Sequence, residues 1–177
     1  MLTYFLFLKN TIIQYTYKEF LLFWFMLFKT HLLVPLFFIL LFFDKISNPW
    51  IFIPVALFAS ILPDIDNPYS KLGKKKISRI FNFFMKHRGI IHSFSFLIVV
   101  GIFLFFYFRE IFYPFVFGYS IHLILDCLTI NGLRIFYPFK FKVKGFLKTG
   151  GIFENLFFVF LFLICVFLIF YRIFVVF

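Results

Sequence analysis

Apolar runs separated by short polar punctuation divide most of this chain. From residue 31 onward five runs stand out: 31–43, 50–62, 90–108, about 115–130, and 152 to about 170. The punctuation has recognisable turn chemistry. Residues 44–49 bring Asp44, Ser47, Asn48 and Pro49 together in six positions, which predicts a turn. Pro63 stops the second run and Asp64 follows it directly. Arg109-Glu110 and Tyr113-Pro114 predict the turn between the third and fourth runs. Asn131-Gly132 end the fourth, and Gly150-Gly151 open the fifth. A membrane-crossing helix needs about 20 apolar residues. The first and second runs are short for that, unless the first continues backward through Phe20. Between Lys76 and Lys86 the apolar positions fall at helical spacing, which predicts a short amphipathic helix on a membrane surface. The expected fold is therefore all-α: a multi-span helical membrane protein of about four to five transmembrane helices plus that surface helix, in one domain over residues 26–177. Residues 1–25 read as an N-terminal extension. Their apolar pieces (4–8 and 20–28) flank a polar stretch, and neither is span-length; Met26 is a candidate start.

Composition sharpens this picture. The chain is 64% hydrophobic with a mean hydropathy of +1.05, whereas soluble domains are about 45–50% apolar. The 37 Phe residues are taken as lipid-facing bulk where Leu is more usual. A net charge of +11 raises nucleic acid as a partner, but the basic residues flank apolar runs, so the expected partner is the lipid bilayer and no nucleic acid. Twelve of the 18 Lys and Arg lie in the loops after the second and fourth runs. One pair of runs separates those loops, so they share a side, and the positive-inside rule makes that side cytoplasmic. Cys127 and Cys165 stand alone in apolar surroundings, which indicates neither a disulfide framework nor a thiolate metal site. The start lacks the basic n-region and small-residue cleavage site of a signal peptide.

The same topology places the scarce ionisable residues. His31 begins the first span on the cytoplasmic side. Asp64 and Asp66 follow the second span, and His87 and His92 introduce the third. His122 and Asp126 lie near the cytoplasmic end of the fourth, and Glu154 begins the fifth. All four His, three of the four Asp and one Glu thus collect at one membrane face, with Asp44 and Glu110 at the other. His122 and Asp126 are spaced i, i+4 and share a helix face. Ionisable groups inside spans are costly and face a partner or cavity. Mixed imidazole and carboxylate donors suit zinc, manganese or iron better than calcium or magnesium. A divalent metal, zinc or manganese first, is the expected cofactor. Eight candidates exceed one tetrahedral shell, so either two ions bind or some residues play supporting or catalytic parts. Arg88, between two candidate ligands, is placed to hold an anionic oxygen. Taken singly, the pieces have plainer readings: Asp64-Ile65-Asp66 as a capped turn, His31 as an interface residue, and Lys74-Lys75-Lys76 as a topology signal. The convergence of four separate segments outweighs them.

These segments resemble a known family. Thr30-His31, Leu62-Pro63-Asp64-Ile65-Asp66, the His-Arg-Gly-x-x-His-Ser run over 87–93, the Gly-Tyr-x-x-His-x-x-x-Asp run over 118–126 with Thr129 and Gly132, and Gly150 to Glu154 are similar to the ordered motifs of the LexA-regulated, membrane-bound metal-dependent hydrolase family (YdjM-like). The resemblance covers about residues 26–160. It implies a multi-pass inner-membrane protein with a divalent metal and hydrolase chemistry.

The leading expectation is a metal-dependent hydrolase at the cytoplasmic membrane face, acting on a phosphoester or ester, including a lipid head group. Its metal residues would be His31, Asp64, Asp66, His87, His92, His122, Asp126 and Glu154. Asp66 would serve as base and Arg88 would stabilise anionic charge. The alternative is a non-enzymatic metal-binding or transport protein, which calls for polar groups at intermediate depths along several spans. A phosphatase with a nucleophilic His is a distant third, because no Arg stands near Tyr119-Ser120 and no Ser-Gly-His occurs.

Overall fold

The computed structural model describes residues 29–66, 90–139, 141–148 and 151–176. The expected extension over 1–25, the expected surface helix over 76–86, and the candidates His87 and Arg88 lie outside the described residues, as does the side chain of Asp66. The described chain is mostly helical. It runs α1 (Lys29–Leu41), a 3-10 turn (Phe43–Lys45), α2 (Pro49–Ile61), a second 3-10 turn (Leu62–Asp66), α3 (Phe94–Tyr107) and α4 (Arg109–Leu128). A small ribbon of β1 (Leu133–Arg134) and β2 (Lys142–Val143) follows, then α5 (Ile152–Tyr171), which continues into a π-helical turn (Arg172–Val176). Of these helices, α4 and α5 are long and apolar enough to cross a membrane, while α1, α2 and α3 are apolar but shorter.

Packing is organised around α4. Its buried positions Phe115, Gly118, Tyr119, His122, Leu123 and Asp126 recur every three to four residues and form one stripe along the helix. Phe115, Tyr119 and Leu123 build a core with Ala59 of α2, Leu97 of α3 and Leu133 of β1. A second core joins Leu33 and Val34 of α1 to Leu161 and Cys165 of α5, with Ile121 and Leu125 of α4 against it. The approach of α2 to α4 is close enough that a Cβ on Gly118 would lie 2.0 Å from the Ala56 carbonyl oxygen. With no side chain at Gly118, and with Ala56, Ala59 and Ser60 as the buried positions of α2, the two backbones can nearly touch. This small-residue packing is favoured where helices gain little from hydrophobic exclusion.

α1 and α5 run parallel and are tied at both ends. At the start, the Thr30 hydroxyl donates to Glu154 Oε1 at 3.2 Å. At the far end, Arg172 reaches the Leu40 carbonyl and holds Asp44 with two hydrogen bonds of 2.8 and 3.1 Å. The outer surface of α5 is apolar and bare, with Phe153, Phe160, Phe167 and Phe174 all exposed. In water such a surface would be a large exposed patch; in lipid it is ordinary.

Three details differ from the sequence expectation. The turn between the third and fourth runs is the single residue Phe108, between the end of α3 and the start of α4. Pro114 therefore lies inside α4 and is fully buried. Its missing N–H costs one helical bond, which neighbouring helices make tolerable in apolar surroundings. Secondly, α3 begins at Phe94, so His92 sits in the turn ahead of the helix instead of its first turn. Thirdly, the basic loop after α4 is not wholly irregular: Leu133 pairs with Val143 and Arg134 with Lys142 in antiparallel register.

Candidate metal centre

Each candidate side chain is delivered by a local device that the sequence specifies. His31 stands in the first turn of α1, beside Thr30 and its bond to Glu154. Asp64 is held in the 3-10 turn Leu62–Asp66, which follows directly where α2 ends and has Pro63 as its second residue. His92 immediately precedes Ser93, the N-cap of α3. The Ser93 hydroxyl accepts from the Phe96 N–H at 3.2 Å and donates to the Ile90 carbonyl at 2.5 Å. Such a cap is worth about 1 kcal/mol, and here it also fixes the backbone that carries His92. The Tyr119 hydroxyl donates to the Ile91 carbonyl from α4, and the Phe94 N–H donates to the Ile135 carbonyl at 2.9 Å. His122 and Asp126 come from the buried stripe of α4. Beyond Asp126, the Thr129 hydroxyl donates to its carbonyl at 2.8 Å and ends the helix. Gly132 completes the turn at φ +61°, the left-handed region that glycine enters without strain.

Five side chains from four segments meet at this end of the fold. His31 Nε2 lies 3.7 Å from Asp126 Oδ1, and His122 Nε2 lies 3.8 Å from Asp126 Oδ2. His92 Nε2 is 3.6 Å from Asp64 Oδ1 and 4.0 Å from Asp126 Oδ2. The rings of His31 and His122 stack with centroids 4.2 Å apart. Two overlapping donor groups result, His31/Asp64/His122 and His92/His122/Asp126, each with ligand atoms within 4.8 Å of one another. These four separations are too long for hydrogen bonds. They are nearer the ~3.4 Å that separates two ligands sharing one ion at ~2.1 Å.

The protonation pattern points the same way. His122 Nδ1 lies 2.7 Å from the Ser60 carbonyl oxygen. A carbonyl can only accept, so Nδ1 carries the proton and Nε2 keeps its lone pair. That Nε2 is buried, faces Asp126, and has no hydrogen-bond partner among the described residues; Asp126 Oδ2, which it faces, is likewise buried without one. A buried acceptor left unpaired costs about 1–3 kcal/mol, and more for a charged group. A carboxylate oxygen and an imidazole lone pair that both face one point, in a site almost closed to solvent, fit a cation. An imidazole oriented by a backbone carbonyl is the usual supporting arrangement for a metal ligand. Asp64 is less enclosed, in the turn beyond α2. Burial pushes its carboxyl up, and the interaction with His92 pulls it down.

Of the other candidates, Glu154 bonds to Thr30 and stands outside both donor groups. The Asp66 backbone ends the 3-10 turn after Asp64. Ser93 and Tyr119 stood in the sequence motifs without a role, and Ser60 was not singled out; all three contribute to the site. Ser60 acts through its backbone carbonyl, which no side-chain motif announces. Its place in the small-residue series Ala56, Ala59, Ser60, facing Gly118, was the available signal.

These features define a helical protein with a bare apolar exterior and a buried His/Asp cluster suited to a cation. The chain belongs to the YdjM inner membrane protein family, whose family model matches residues 26–177. It is 31% identical over 121 residues to the uncharacterized protein YvsG of Bacillus subtilis, covering 59% of this chain and 72% of that protein. It is also 31% identical over 110 residues to the inner membrane protein YdjM of Escherichia coli and to that of Shigella flexneri, covering 54% of this chain and 53% of each relative. The match thus spans about half the length of the two YdjM proteins. No solved structure matches.

Proposed function

We propose that this protein is a multi-pass inner-membrane metalloenzyme, a hydrolase whose His31, Asp64, His92, His122 and Asp126 hold one or two divalent metal ions at the cytoplasmic face. The observation that carries the reading is the His122 ring: one nitrogen is pinned to the Ser60 carbonyl and the other is presented, unpartnered, to Asp126 and the neighbouring imidazoles. Zinc and manganese suit this donor set. A bound divalent ion would supply Lewis-acid polarisation of a carbonyl or phosphoryl oxygen. The chain's own part is to hold the donors rigidly through the Ser93 cap and the α2–α4 crossing, to exclude bulk water, and to keep Asp64 ionised at the more open edge. Asp66 and Arg88, on the basic segment adjoining that edge, are the proposed base and anion-stabilising group. The substrate class is a phosphoester or ester. With the apolar exterior of α4 and α5, the shorter α1, α2 and α3 complete a bundle of four to five spans whose basic loops face the cytoplasm.

Metal analysis of detergent-purified protein tests this. The wild type is expected to retain zinc or manganese near stoichiometrically. His122→Ala and Asp64→Ala are expected to lose it, together with phosphoesterase or esterase activity, while remaining folded by circular dichroism. Metal content unchanged in both variants would overturn the reading. Metal binding that depends on these residues, with no hydrolysis of any ester tested, would favour a non-enzymatic metal-binding role.

A further inference from the structure

The segment from Asn131 to Lys148 leaves α4 directly beyond Asp126, and its composition is unlike the rest of the surface. Arg134, Lys142, Lys144 and Lys148 are exposed, and so are Phe136 (48%), Phe139 (71%), Phe141 (63%) and Phe146 (80%). No Asp or Glu occurs between Asp126 and Glu154. The ribbon is not a loose excursion. Leu133 is buried in the α4 core, the Ile135 carbonyl accepts from the start of α3, and Ile130 and Gly145 make backbone bonds of 2.9 and 3.0 Å to Leu147 and Thr129. At Gly145 a Cβ would lie 2.1 Å from the Leu128 carbonyl oxygen, so the returning strand passes directly over the end of α4. A rigid ribbon is thus anchored beside the His/Asp cluster and shows phenylalanines and cations together.

Phenylalanines alone would suit any apolar surround, and cations alone any anionic solute. Their interleaving on one ribbon, without a single carboxylate, matches a surface that is apolar just below a layer of negative charge. We propose that this ribbon is a docking element for anionic phospholipid. Its phenylalanines enter the acyl boundary and its cations gather anionic head groups around the cluster. This deepens the proposed function, on whose membrane-face site it rests: the substrate offered to the centre is then an anionic amphiphile.

The test uses the full chain reconstituted in phosphatidylcholine vesicles, with Phe139→Trp as reporter in a Trp24→Phe/Trp50→Phe background. Emission is measured with equal amounts of brominated phosphatidylcholine or brominated phosphatidylglycerol as quencher. Stronger quenching by the phosphatidylglycerol is expected. That excess should disappear in Lys142→Gln/Lys144→Gln and shrink at high salt. Equal quenching by the two lipids would overturn head-group recognition, and no quenching by either would overturn docking altogether. Metal content is measured on the same preparations. Loss of lipid preference with metal retained sinks the ribbon proposal alone; absence of metal with preference retained sinks the metal centre alone.

Discussion

At one end of α1, Arg172 grips Asp44 through two hydrogen bonds and stacks over Phe43. At the other end, His31 joins His122, His92, Asp64 and Asp126, and the facing atoms stay 3.6–4.0 Å apart. Both clusters pair acids with bases, at opposite ends of α1, a helix about 20 Å long by its rise. The exposed one is satisfied by the protein alone. In the buried one, where an unmet donor or acceptor is most expensive, His122 Nε2 and Asp126 Oδ2 have no hydrogen-bond partner among the described residues. A salt bridge closed where it is worth little, set against buried donors that face one another without bonding, supports the proposed cation site. The contrast separates a charge pair that the fold satisfies from the cluster proposed to bind a metal.

That contrast can be broken by exchanging the roles of the two ends. Asp126→Asn should reduce bound metal from near stoichiometric to background by atomic absorption, while Asp44→Asn leaves it unchanged. If Asp44→Asn lowers metal content as much, the division between the ends fails. Next in size, Gly118→Ala must push the Ala56 backbone away. It is expected to destabilise the protein by about 1–3 kcal/mol, the usual cost of overpacking, read as a lower midpoint of thermal unfolding in detergent, and to weaken metal retention because His122 moves with α4. Ser93→Ala should cost about 1 kcal/mol as a lost cap. It should also lower metal affinity 10- to 100-fold, the typical effect of removing support from a ligand, with α3 still helical. Ser93→Thr should restore both.

The smallest effect belongs to the exposed pair and to pH. Asp44 is held below its ordinary value chiefly by the Arg172 hydrogen bond, against the opposing effect of desolvation and with help from the Arg172 charge. A carboxyl lowered in the folded state contributes stability that is present above its unfolded value and lost as pH falls through the folded one. Unfolding of Arg172→Gln should therefore differ from wild type at neutral pH and converge with it in acid. A difference that persists in acid would mean that Arg172 acts through Leu40 and Phe43 and not through Asp44.

The site was more legible in the sequence than the details of its scaffold. Alternating apolar helices bring His31, Asp64, His92, His122 and Asp126 to one end by parity, and the i, i+4 spacing of His122 and Asp126 fixes their common face. The Ser60 carbonyl was not legible, because every residue has one and only packing decides which is used. Pro114 suggested a turn because proline breaks helices in water, whereas a buried membrane-type helix absorbs it. The ribbon did leave a trace. Residues 139–144 alternate Phe or Val with Lys at period two, the pattern of a strand, but so short a run was outweighed by its basic charge.

The double tie between α1 and α5 has a consequence for assembly. The helix that brings His31 is clamped by α5, more than 120 residues later in the chain. Contacts so distant in sequence close late. During synthesis the α2–α4 crossing can therefore form first and present Asp64, His92, His122 and Asp126, while His31 takes its place only when α5 arrives. The five-residue cluster would then be complete only once α5 has packed against α1, and the proposed metal site with it.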